Sequence, residues 1–397
     1  MSGVASWTPR RLGDVISVKH GYAFPGGEFS DDLTFPTLVT PGNFAIGGGF
    51  KETKPKTFTG AYPKSFELDQ GDLVITMTDL SKAGDTLGSP ALVPADRTYL
   101  HNQRIGRVEI EAPRVVAREF LNYALRSSSY HAYIVGTASG STVRHTSPTK
   151  ICDFVLDMPD VGTQQAIAEV LGALDDKIAA NRKLAETAEN LASVVFNSMM
   201  DDTAVSAPLS STAQFVNGKA FTKGASGTGR VVVRIAELNS GIGGSTVFSD
   251  LDVEDQYLAR PGDVLFAWSG SLTLHRWFRD DAIVNQHIFK VIPAEGYSPW
   301  LVYQLIQAKL PQFKEIAADK ATTMGHIQRK HLDELVQVPS SDQIARHDVT
   351  LTALWNRTLV AEQESLRLAT LRDTLLPRLM SGALRVRDAE REVENLL

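Results

Sequence analysis

Six short blocks occur twice in this chain, in the same order, and that repetition limits its fold more than any other feature. Gly21-Tyr-Ala-Phe24 returns as Gly218-Lys-Ala-Phe221, and the glycine run Gly47–Gly49 returns as Gly241-Ile-Gly-Gly244. Gln70-Gly-Asp-Leu-Val74 returns as Pro261-Gly-Asp-Val-Leu265, and Asn102-Gln-Arg-Ile105 returns as Asn285-Gln-His-Ile288. Lys150, Asp153 and Pro159 share their spacing with Lys330, Asp333 and Pro339, and Gln165-Ala-Ile-Ala168 returns as Gln343-Ile-Ala345. An offset of roughly 180–200 residues is too long for a solenoid repeat. A whole unit is duplicated: one α+β domain followed by one long helix.

The helical part of the first unit runs from Gln164 to Met200 without a proline. Ile167, Leu171, Leu174, Ile178, Asn181, Ala185, Ala188, Ala192, Val195 and Met199 step through it by fours and threes. An apolar row every ~3.5 residues must be buried against another helix, and a polar seam residue such as Asn181 costs stability while fixing register. Val170, Leu184, Leu191 and Val194 form a second apolar row beside it. At ~1.5 Å per residue the helix spans roughly 55 Å. Pro159 and Gly162 punctuate its start, with Thr163 as the expected N-cap. The second helix, from about Asp342 to Met380, carries Leu351, Leu354, Ala361, Leu368, Leu375 and Leu379, with Leu359 and Leu366 beside them. Pro377 is expected to kink or end its last turn. Each helix supplies the partner the other needs. If the two units are related by an approximate two-fold, the helices pack as an antiparallel coiled coil with one domain at each end. The expected boundaries are 1–160 and 201–340 for the domains, 161–200 and 341–382 for the helices, and a charged, poorly ordered tail at 383–397.

Within 1–160, glycine, proline and asparagine clusters separate short apolar runs such as Asp72–Met77 and Ile105–Ile110, the pattern of strands and turns. Arg118–Arg126 is expected to form one short helix. The chain has a single cysteine, Cys152, which excludes a disulfide framework, and the first residues lack the apolar middle of a signal peptide. No run of about eighteen apolar residues offers a membrane span. These features suit the cytoplasm. The net charge of −6 argues against a nonspecific nucleic-acid coat. The charge is uneven, and residues 156–200 carry 3 Lys+Arg against 7 Asp+Glu, a local −4.

Catalytic signatures are absent. Gly224-Ala-Ser-Gly-Thr-Gly-Arg230 is glycine-rich but lacks the lysine of a phosphate loop. There is no Pro-Pro pair, hence no Asn-Pro-Pro-aromatic tetrapeptide of amino-methyltransferases, and no His-Glu-x-x-His zinc motif. No nucleophile elbow frames a serine. The scattered histidines and carboxylates are expected to serve surface and hydrogen-bonding roles, with no metal and no cofactor held by this chain.

A DNA reader needs cations for phosphate and polar side chains for base edges. The first domain offers Lys51, Lys54 and Lys56, then Arg97, Arg104 and Arg107, then the polar loop Ser139–His145 with Ser141, Thr142 and Arg144. The second offers Arg276 and Arg279, then Lys320, Thr322 and Thr323 in the stretch ending at His326, then Arg329 and Lys330. The Ser/Thr-rich loop holds the same place in both repeats while its sequence differs, as two domains with different targets require. For any single cation taken alone, a solvated surface charge is the favoured reading. Asn102-Gln103 and Asn285-Gln286 have the chemistry to read adenine, but their strand-like context favours a role in the fold.

Taken as a set, the Gly-x-Ala-Phe, Gln/Pro-Gly-Asp and Asn-Gln-x-Ile blocks, the helix openings and Leu174-Asp-Asp-Lys-Ile-Ala-Ala-Asn-Arg-Lys-Leu184 resemble the specificity subunits of type I restriction-modification systems, over nearly the whole chain. The resemblance implies two target-recognition domains, each binding one half of a bipartite, asymmetric site on double-stranded DNA. It implies helices that set the unread spacer and dock two methyltransferase subunits, which use S-adenosylmethionine to methylate adenine. Restriction subunits, with ATP and Mg, would add translocation and cleavage. The alternative reading is a non-catalytic scaffold holding two protein partners.

Overall fold

The computed structural model describes residues 7–81, 83–319 and 325–395. The chain divides into two compact units, one formed by Met1–Asp176 with Ala369–Leu397 and the other by Lys177–Leu368. Each holds one mixed α+β domain, and two long helices, Val161–Ser198 and Ser341–Met380, join the domains. The unit boundaries fall inside both helices, so each unit contains part of each.

In the first unit, Ile16–His20, Ile105–Ile110, Leu73–Thr76 and Pro90–Leu92 form a four-stranded antiparallel sheet in that order. A second sheet places Phe29–Ser30, Thr57–Phe58, Thr37–Val39, Tyr99–His101 and Glu67–Leu68 side by side, with the third and fourth strands parallel. The second unit repeats both. Ala213–Asn217, Ile288–Pro293, Val264–Ala267 and Thr273–Arg276 form its first sheet, and Phe248–Ser249, Arg230–Val233, Ala282–Val284 and Leu258–Ala259 its second, again with one parallel pair. A short antiparallel ribbon closes each domain beside its helix: Thr8–Arg11 with Val155–Met158, and Val205–Pro208 with Leu335–Val338.

The repeated blocks recur because the same backbone problems recur. A Cβ on Gly21 would stand 2.2 Å from the Asn102 carbonyl oxygen, and one on Gly218 would stand 2.3 Å from that of Asn285, so both sites exclude a side chain. Gly71 and Gly262 have φ of 78° and 94°, which favours glycine in their turns. The following aspartates lock those turns: Asp72 accepts from the Asp69 amide at 3.1 Å and Asp263 from the Arg260 amide at 2.8 Å.

The helix seam is buried where the heptad pattern places it. Ile167, Leu171, Leu174, Ile178, Leu351, Ala361, Leu368, Leu375 and Leu379 are each at most 3% exposed, and Leu354 is half-buried. Asn181 is 3% exposed and donates to Glu364 at 2.9 Å, while Lys177 pairs with the same carboxylate. Within the second unit the helices run antiparallel: Asn181 faces Glu364, whereas Phe196 and Met199 share a core with Leu351.

Of the flanking row only Val170 is buried, while Leu191 and Val194 are 48% and 65% exposed. Two expectations need correction. Thr163 is not the cap: the helix starts at Val161, and Asp160 accepts from both the amide and the hydroxyl of Thr163. The tail, expected to be poorly ordered, carries a helix at Val386–Glu394 that buries Ala389 and pairs Glu392 with Arg378. Its charges alternate in sign at i,i+3 spacing, as in Arg385–Asp388, and so support a helix instead of opposing one. Pro377 lies inside the second helix, which continues to Met380.

Candidate nucleic-acid interface

At one edge of the first domain three segments meet. The turn after Tyr99–His101 carries Asn102-Gln103-Arg104, and the Arg104 carbonyl accepts from the Met77 amide at 2.9 Å. The Met77 carbonyl accepts in turn from Thr146 at 3.0 Å. Beyond Met77, Thr78–Asp79 pairs with Arg144–His145 across the loop that carries Ser141 and Thr142. Asp79 organises the adjoining loop by accepting from the Ser81 amide and from the amide and hydroxyl of Thr86. Burial would raise the Asp79 pKa, but those donors hold its carboxyl below the ordinary range. Thr78 and His145 share a 3.2 Å hydrogen bond. This edge therefore gathers Gln103, Arg104, Ser141, Thr142 and His145, all exposed, around a half-buried Arg144.

The second domain builds the same edge with other side chains. His287 occupies the place of Arg104, and its carbonyl accepts from the Trp268 amide at 3.1 Å. Trp268 takes the place of Met77, and its carbonyl accepts from Ile327. Ser269 bridges to His326 as Thr78–Asp79 pairs with Arg144–His145. The Trp268 indole donates to Asn217 at 2.7 Å, and its ring lies 5.2 Å from His287 and 6.4 Å from His326. Lys320, Thr322 and Thr323 lie outside the described residues.

The other candidate cations are dispersed. Lys51, Lys54 and Lys56 are exposed on the connection between Thr37–Val39 and Thr57–Phe58. Lys54 pairs with Asp31 and Lys56 sits over the Phe29 ring. Arg97 is bound by Asp96 at 2.7 Å, and Arg107 by Glu109 at 3.2 Å. Arg279 is half-buried against Phe278, and desolvation lowers its pKa. Arg329 and Lys330 are exposed on the turn Arg329–Asp333.

Arg276 is a correction. It is 5% exposed, its guanidinium donates to Glu189 at 2.8 Å and to Glu362 at 2.9 Å, and it stacks on Trp355. Two carboxylates from the two helices saturate it, which leaves no face for a phosphate. The first unit has a matching arrangement: Asp175 of the first helix is bound by Arg126 and Tyr123 of the domain and by Arg372 of the second helix. Sequence reasoning missed Trp268 and His287. The signal was the Asn-Gln-x-Ile block itself, whose third residue differs between the repeats.

Residues 5–190 match a family model described as the type I restriction modification DNA specificity domain. The chain is similar to the type I restriction enzyme EcoBI specificity subunit of Escherichia coli, 26% identical over 169 residues that cover 43% of this chain and 32% of that protein. It is also similar to the MjaVIII specificity subunit of Methanocaldococcus jannaschii, 23% identical over 197 residues, 49% of this chain and 45% of that one. The matches thus span less than half the length of these curated relatives. Among solved structures, the type I restriction-modification S subunit from M. genitalium shares the fold with a TM-score of 0.60 at 14% identity, over 96% of this chain and 97% of that one. Among the described residues no helix is long and apolar enough to cross a membrane. By the family match over residues 5–190, the two curated relatives and the shared fold, this chain is similar to the specificity subunits of type I restriction-modification systems.

Proposed function

We propose that this chain is the non-catalytic subunit that reads DNA for a type I restriction-modification complex. Each recognition domain, 1–160 and 201–340, binds one half of a bipartite, asymmetric duplex site. The helices, 161–200 and 341–382, set the unread spacer and dock two methyltransferase subunits, with the helix Val386–Glu394 of the charged tail paired to the end of the second helix through Arg378 and Glu392. S-adenosylmethionine, and in the full complex ATP and Mg, belong to the methyltransferase and restriction subunits. The observation that carries this reading is the edge built twice on one backbone plan with different exposed side chains, Arg104 in one domain and His287 in the other. Two readers of one scaffold with different chemistry suit an asymmetric target. Exposed Leu191, Val194, Val349 and Val360 on the helices support protein docking there.

The test is to express the chain with the methyltransferase encoded beside it and to map N6-methyladenine across the host DNA, with a strain lacking the chain as control. The expected result is a two-part motif with a fixed gap, absent from the control. A folded, cofactor-loaded methyltransferase that shows no dependence on this chain would favour the protein-scaffold reading. Salt-sensitive binding of the purified chain to duplex DNA, through release of counterions, is the expected companion result.

A further inference from the structure

Within the Asn-Gln-x-Ile turn, most groups are committed to the fold. Ile105 and Ile288 are fully buried. Asn102 accepts from the Arg104 amide, and Asn285 is 6% exposed. The Gln103 amide donates to the Tyr22 carbonyl and the Gln286 amide to the Lys219 carbonyl, both at 2.9 Å. That leaves two exposed side chains per turn: a glutamine common to both, and Arg104 in one domain or His287 in the other. Only the last differs in chemistry.

We propose that the residue after the shared glutamine, Arg104 in the first domain and His287 in the second, makes the two domains prefer different base pairs; this rests on the DNA-reading function proposed above. Arg104 forms no ion pair with any described residue, so its charge and its fork of donors are unspent. A free guanidinium on a rigid turn fits the O6 and N7 acceptors of guanine in the major groove. His287 presents an imidazole, which in its neutral form offers one donor and one acceptor and so a different pattern. Its φ of 75° is the only positive value among the described non-glycine residues. A β-carbon in that region is strained, and such strain collects at functional sites. The Trp268 ring behind it, tied to Asn217, limits where the imidazole can point. The glutamine, present in both turns, has the bidentate geometry for adenine and supplies the part of recognition the two halves would share.

The experiment is N6-methyladenine mapping with the methyltransferase and three forms of the chain: wild type, Arg104→Ala and His287→Gly. Glycine accepts the φ of His287, so the second variant removes the imidazole without straining the turn. Each variant is expected to lose about tenfold or more of the preference at one base pair of one half-site, a different half for each, with the other half and the gap unchanged. The melting temperature of each purified variant is expected to match wild type. An unchanged motif in either variant, or a decline of both halves together, would overturn the assignment. A wild-type chain that directs no two-part motif would instead remove the DNA-reading function itself, so the two failures are distinct.

Discussion

Arg276 and Arg104 are the same residue type in two surroundings, and the surroundings decide what each does. In sequence, Arg276-Trp-Phe-Arg279 resembles a phosphate grip, because a cation beside aromatics is a common nucleic-acid signature. Nothing local reveals that Glu189 and Glu362, about 87 residues away on either side, converge on that guanidinium. Replacing Arg276 with methionine leaves both carboxylates facing a partly buried site without a counter-charge. The expected loss is about 3 kcal/mol, the low end for a broken buried pair because Glu189 retains contact with water. Urea denaturation measures it; a loss below about 1 kcal/mol would mean that the carboxylates relax into solvent. The glycines were legible in a different way. Gly21 and Gly218 recur because carbonyl oxygens stand where a Cβ would go, and a repeated glycine in one sequence is enough to suggest such a constraint.

At the scale of elements, the heptad seam was the most legible feature, since its period follows from helix geometry alone. The row beside it is apolar in sequence, but burial of a second stripe depends on what packs there, and at Leu191 and Val194 the side chains remain open to solvent. Asn181 is the polar residue in the seam, and its amide is satisfied by Glu364. Asn181→Ala removes that charge-assisted bond while Lys177 continues to hold Glu364, so a destabilisation of about 1–2 kcal/mol is expected by chemical denaturation. Asp175 gives the helices a pH dependence. Burial alone would raise its pKa, but Arg126 and Arg372 together hold the carboxyl below its ordinary value. A folded-state pKa below the unfolded value of ~3.9 means that the stabilisation is complete above that pH and is lost as pH falls through the folded value. Stability measured from pH 5 downward is expected to fall less steeply for Asp175→Asn than for wild type. Parallel curves would show that other carboxylates govern the acid transition.

For the whole molecule, the duplication is what turns local observations into a function. One domain with an exposed Gln-Arg turn would be unremarkable; two domains on one plan, differing at that position and joined by helices, suggest a reader of two-part sites. The sequence carried this much because block order survives where block chemistry drifts. It did not carry the loop contacts, since strand pairing such as Thr78–Asp79 with Arg144–His145 links segments far apart in the chain. The ruler proposed for the helices can be tested by lengthening both at once. One heptad inserted after Asn181 and another beside Glu364 keeps the apolar seam in phase, because seven residues are nearly two helical turns. Each insertion adds roughly 10 Å of helix, close to the rise of about 3 base pairs. The methylation motif of this variant is expected to keep both half-sites and to widen its gap by roughly that amount. Altered half-sites with an unchanged gap would assign spacing to the recognition domains, and the helices would then serve docking alone.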